Sequence, residues 1–156
     1  CAHLPIFCPF GSIRSRSILM LRIVETYSGV SLSKLIRTSS TMAYGRAARA
    51  KILMKRYRSG IINEPFRSNP RLLARSSAKA AIRVLSGITI LRGATFYTSP
   101  EQTVMMVVRY AHEAIPLAQR ALAVVNGIES QPNEAMNITD QAIELFYSLY
   151  PDHTPE

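Results

Sequence analysis

A chain of 156 residues with 47% hydrophobic content can bury one modest core and is too short for two ordinary domains. Its net charge of +9 is unevenly placed: residues 1–80 hold fifteen Lys/Arg against Glu25 and Glu64, while residues 81–156 hold Arg83, Arg92, Arg109 and Arg120 against eight carboxylates. Such a division predicts a basic arm that meets something anionic and a folded part that meets itself or other proteins; charges interrupting each apolar run, such as Arg109, Glu113 and Arg120, exclude a transmembrane helix from the expected elements.

The first of three expected regions is residues 1–41, a transit-peptide-like or extended segment. Cys1 and Cys8 are the only cysteines and have no His/Cys cluster at metal-ligand spacing, so neither a disulfide framework nor a zinc site is expected. Residues 12–41 mix Ser with Arg14, Arg16, Arg22, Lys34 and Arg37 among Ile, Leu and Val, with a single acid. That is the composition of a mitochondrial transit peptide, and equally of a basic tail or of sequence ahead of a start at Met42, so the true N-terminus stays open.

Residues 42–68 are expected as a basic helix and linker. Ala, Arg, Lys, Leu and Met over residues 43–58 favour a helix by propensity. Placed at 100° per residue, Arg46, Arg49, Lys51, Lys55, Arg56 and Arg58 scatter around the axis, which predicts no clean apolar face for a core and therefore an anionic or aqueous surrounding. Gly60, Asn63, Pro65, Asn69 and Pro70 mark a turn-rich link.

Residues 69–156 form the expected helical domain, opened by Asn69 as N-cap and Pro70 in the first turn. Leu73, Ala80, Val84, Ile88 and Leu91 share one sector of that helix, with Arg71, Arg75, Lys79 and Arg83 opposite. The helix is expected over residues 69–93, with Gly87 and the β-branched Ile88, Thr89 and Ile90 weakening its C-terminal part and making Ser86 an alternative end. Ser99-Pro100-Glu101-Gln102 is a capping box, starting a helix expected to run to Asn126-Gly127 with a kink at Pro116. Val104, Val108, Ala111, Ile115, Ala118, Leu122 and Val125 predict its inward face; Met106, Tyr110, Leu117 and Val124 form a second apolar strip, read as a protein interface. After a polar loop containing Pro132, the four-three-four spacing of Ile138, Ala142, Leu145 and Leu149 predicts a last helix over residues 138–150, with Phe146, Tyr147 and Tyr150 packed on the preceding helix.

Convergent catalytic groups are not evident. His112 alone among the histidines falls in an expected element, and packing or capping near Pro116 explains it better than catalysis. P-loop, GxGxxG, HExxH, nucleophile-elbow and EF-hand motifs are missing, and the carboxylates are scattered, so no enzyme activity, cofactor or metal site is expected. The feature above background is the set Arg46, Arg49, Lys51, Lys55, Arg56, Arg58, Arg71, Arg75, Lys79 and Arg83, suited to phosphates. A solvated face, or a surface for acidic protein or anionic lipid headgroups, has the same composition.

Residues 100–156 resemble the matrix-side helical subunit of cytochrome c oxidase, called subunit Va in animals. The resemblance rests on the helix opening with Pro100, Arg120-x-Leu122-x-Val124-Val125, Glu144-Leu145, Leu149 and the closing Thr154-Pro155-Glu156. It implies a tetratricopeptide-like helix stack without cofactor or catalytic residue, in a peripheral, matrix-facing structural role. Departures from that pattern are His112-Glu113-Ala114 in place of an arginine-rich centre, Pro116, and the basic arm.

Together these readings predict an all-α fold, a small helical bundle or tetratricopeptide-like stack with an extended basic N-terminal arm. The expected role is a non-catalytic accessory subunit of a mitochondrial assembly, peripheral on the matrix side. An oxidative-phosphorylation complex (respiratory chain or ATP synthase) is the first expectation, and a mitochondrial ribosomal protein touching rRNA the alternative. Expected partners are other subunits, with rRNA or anionic lipid headgroups at the basic arm.

Overall fold

The computed structural model describes residues 32–95 and 99–151, with side chains from Thr38 onward. The fold is all-α: helices α1 (Leu32–Arg58), α2 (Pro70–Leu91), α3 (Pro100–Tyr110), α4 (Ile115–Val125) and α5 (Pro132–Leu149), with a 3₁₀ turn (His112–Ala114) between α3 and α4. Residues 1–31, which hold most of the transit-peptide-like region, lie outside the described residues. No helix among the described residues is long and apolar enough to cross a membrane.

Helix α2 is central and packs against each of the other four. Its start is as expected, with Pro70 in the first turn and Asn69 Oδ1 accepting the Arg71 and Leu72 N–H groups at 3.1 and 3.3 Å. Its end, at Leu91, lies within the expected span, and the helix runs through Gly87 and the β-branched residues without stopping at Ser86. Residues 84–90 are all buried, and that packing outweighs a propensity deficit of about 1 kcal/mol for the glycine. Closure comes at Gly93, whose φ of 103° suits glycine; the Gly93 and Ala94 N–H groups bond the Ile90 and Thr89 carbonyls at 3.1 and 2.9 Å.

Helix α1 corrects the expectation that residues 43–58 lack an apolar side. It starts at Leu32, and Ala43, Ala47, Ala50, Met54 and Tyr57, alternating four and three apart, join the same core as α2 to α5. The cations occupy the rest of its circumference. α1 runs antiparallel to α2, with the Tyr57 hydroxyl 3.0 Å from Ser76 Oγ at one end and Ala43 against Gly87 at the other. A Cβ on Gly87 would lie 3.2 Å from the Ala43 Cα, so the glycine that weakens α2 locally is what lets α1 approach.

The expected kink at Pro116 is a full break, placed earlier. Pro116 has no N–H for the carbonyl of His112 and crowds it, so the chain leaves the helix at Ala111 (φ −143°, ψ 70°) and makes a 3₁₀ turn. It restarts with Pro116 in the first turn of α4, where the missing donor is harmless. The inward face also differs from the expected one. Thr103, Val107, Ala111, Ala114, Ala118, Ala121 and Val125 are buried, whereas Val104, Ile115 and Leu122 are partly buried and Val108 is 48% exposed.

Helix α5 begins at Pro132, six residues before the expected start, so that proline opens a helix instead of lying in a loop. It runs parallel to α2, tied by Thr139 Oγ1 donating to the Ser77 carbonyl at 2.6 Å. The aromatic cluster faces α1 rather than α4. Phe146, fully buried, meets Tyr44 edge-on with centroids 5.2 Å apart and packs on Tyr147 and Tyr150 at 5.4 and 5.8 Å.

Candidate anion-binding groove

The ten cations singled out in the sequence separate into groups with different surroundings. Arg46 and Arg49, one turn apart on α1, face Lys79 and Arg83, one turn apart on α2, across a groove of about 620 Å³. Ala50, Leu53, Ala80 and Ile82 make its apolar floor; Ser86, Ser99, Pro100 and Thr103 complete the wall. No carboxylate is among these lining residues. Ser99 and Pro100 bring the first turn of α3, the positive end of its dipole, to the edge of the groove. Ser99 Oγ accepts the Gln102 N–H at 3.2 Å, as its capping role requires.

Arg46 is the best-positioned of the four. It is partly buried and its guanidinium donates to Ser86 Oγ, while the Ser86 hydroxyl bonds the Arg83 carbonyl at 2.6 Å. Burial first, then the neighbouring charges of Arg49 and Arg83, push its pKa below the usual arginine value. The guanidinium stays charged at any physiological pH. Burial contributes most to that direction, and the like charges of Arg49 and Arg83, which a bound anion would offset, add to it.

The remaining six lie elsewhere. Arg58 donates to Asp140 at 2.6 Å and Asn137 at 2.9 Å, tying the end of α1 to α5. Lys51 lies 5.5 Å over the Tyr147 ring, and Lys55 and Arg56 are exposed. Arg71 reaches Glu129 at 3.5 Å, an exposed pair of little energetic weight, and with Arg75 lines a smaller cavity of about 290 Å³. Of the expected interface strip, Met106, Tyr110 and Leu117 are partly buried, but Val124 is 6% exposed and part of the chain's own core. Val124 is thus corrected from a partner-facing residue to an internal one. On α3 the exposed apolar side chains are Met105 and Val108.

Sequence reasoning missed two arrangements. Ser86 holds Arg46 although they are forty residues apart, and nothing in either local pattern signals the pairing. Arg92 connects the C-terminal end of α2 to the α3–α4 break and to α5. It donates to the Tyr110 carbonyl at 2.9 Å, to the two Glu113 oxygens at 2.6 and 3.3 Å, and to the Tyr150 hydroxyl at 3.3 Å. His112 is exposed in the 3₁₀ turn. No group of three or more metal-ligating side chains occurs among the described residues. No family model, curated protein or solved structure matches the chain.

Proposed function

We propose that the chain is a non-catalytic accessory subunit of a large mitochondrial assembly and that the α1–α2 groove holds an anionic partner there. The observation that carries the binding role is the convergence of Arg46, Arg49, Lys79 and Arg83 from two helices with no carboxylate in the lining. Unpaired, these charges repel; a partner bearing negative charge turns that repulsion into attraction. The mitochondrial setting draws on the Ser/Arg-rich, acid-poor composition of residues 12–41. The matrix-side oxidative-phosphorylation complex draws on the resemblance of residues 100–156 to subunit Va.

The ribosomal reading is favoured by one specific observation, the cationic groove itself, because phosphate contacts supply sequence-independent RNA affinity. Sedimentation of a gently solubilised lysate from cells expressing the tagged chain separates the two. Co-migration with a respiratory or ATP synthase complex, insensitive to ribonuclease, is the expected result. Release by ribonuclease from a particle containing rRNA would select the ribosome instead. Recovery outside mitochondria, or only as free protein, would overturn both.

A further inference from the structure

We infer that the groove between α1 and α2 is a binding site for a ligand carrying two linked phosphate groups. This deepens the anion-binding reading and rests on it. The four cations form two pairs, Arg46/Arg49 on α1 and Lys79/Arg83 on α2, and each pair is spaced along its helix by about 5 Å, three or four residues at 1.5 Å rise. Three are arginines, whose planar forks match phosphate oxygens two at a time. One phosphate, with at most four oxygens, leaves part of such a set without a partner. Two linked phosphates engage both pairs.

Size and lining agree with that assignment. At about 620 Å³ the groove is larger than one phosphate needs. The floor of Ala50, Leu53, Ala80 and Ile82 contains no aromatic ring, so a nucleobase would find no stacking platform among the lining residues. The remainder of the ligand is therefore small or aliphatic. Ser86 fixes Arg46 before any ligand arrives, which lowers the ordering cost of binding. The same chemistry exists in a soluble diphosphate and in a lipid head bearing two phosphates.

Titration calorimetry of the full chain with inorganic pyrophosphate, orthophosphate and sulfate at low salt tests the site. Pyrophosphate is expected to bind saturably and about tenfold more tightly than either single-centred anion. Arg49→Gln and Arg83→Gln should each weaken it about tenfold, the loss of one charged hydrogen-bonding partner. Lys55→Gln and Arg56→Gln, equal charge changes outside the groove, should leave it within about twofold. Circular dichroism melts establish that the variants are folded, and Arg49, exposed on α1, is the substitution least able to disturb the core.

Vesicles of phosphatidylcholine with and without cardiolipin locate the source. Vesicle binding that needs cardiolipin, is lost in Arg49→Gln and is competed by pyrophosphate identifies the lipid head in this groove; saturable pyrophosphate binding with no cardiolipin-dependent vesicle binding identifies a soluble ligand. Equal losses in groove and control variants would overturn the site, as would equal affinity for orthophosphate and pyrophosphate or no binding of either probe. RNA retention lost in Arg49→Gln with neither probe bound would also overturn it, in favour of a phosphodiester chain. All arms use purified protein, so failure here is distinct from failure to co-migrate with an assembly.

Discussion

Replacing Arg92 by Ala removes more than a surface ion pair, and the expected cost can be built from its contacts. Arg92 and Glu113 are 28% and 41% exposed, so their pairing contributes about 0.5 kcal/mol. The bond to the Tyr110 carbonyl is worth more. That carbonyl ends α3 at the break, and a charged donor to a partly buried acceptor contributes about 1.5 kcal/mol. The sum, about 2 kcal/mol, corresponds to a fall of about 8 °C in Tm for a domain of this size. Urea titration and thermal melts followed by circular dichroism measure it. Arg92→Lys keeps the charge but not the fork and should lose about half as much. Glu113→Gln should lose about 0.5 kcal/mol or less. Arg92→Ala matching wild type, or Glu113→Gln costing as much as Arg92→Ala, would refute the assignment of the larger share to the carbonyl.

The same contact has a pH signature. The Arg92 hydrogen bond, more than any other influence, holds the Glu113 carboxyl below its ordinary value of 4.5. A carboxyl with a depressed folded pKa contributes stability that is complete above the unfolded value and is lost as pH falls through the folded one. Wild-type stability should therefore drop more below about pH 4.5 than that of Glu113→Gln, by a small margin because the pair is partly exposed. Identical acid limbs for the two proteins would remove Glu113 from the account.

Phe146→Ala should cost about 4 kcal/mol in urea titration, since a fully buried ring held by Tyr44, Tyr147 and Tyr150 leaves a large cavity. Thr139→Val should cost about 1 kcal/mol, the hydroxyl bond to Ser77 being lost while the shape is kept. Gly87→Ala should be net destabilising by about 1 kcal/mol, because close contact with Ala43 outweighs the gain in helix propensity. Ala43→Gly should not rescue it, since the nearest atom is the Ala43 Cα, and a rescue in a double-mutant cycle would show the conflict to be between side chains alone.

Two helix starts were legible because their physics is local, while that of α5 at Pro132 was missed. Asn69-Pro70 and Ser99-Pro100 contain both the cap and the residue that needs no donor, and the structure uses both. The α1 face was hidden by its composition: Ala43, Ala47 and Ala50 carry little hydrophobic weight, so a reading guided by scattered charges overlooked them. Ser86 stood as an alternative end only because propensity cannot register the burial of residues 84–90. At Pro116 the sequence signalled a disturbance, but not the donor from Arg92 to the Tyr110 carbonyl at the break, which only the packed fold supplies. The four groove cations were all singled out. Their grouping was not, since Arg46 and Lys79 become neighbours only through the antiparallel crossing of α1 and α2.

The helix contacts are lined by small side chains: Ala43, Ala47, Ala78, Ala81, Ala111, Ala114, Ala118, Ala121, Ala135 and Ala142 are each fully shielded from solvent. Such a core reverses the usual direction of mutational sensitivity. In a leucine-rich interior truncation is the damaging change, whereas at these alanines little can be removed and almost any addition must push two helix axes apart. The range of residues acceptable at these positions is consequently cut off from above by volume. Accumulated substitutions would move the chain toward Gly or Ser at those sites long before they admitted Val or Leu.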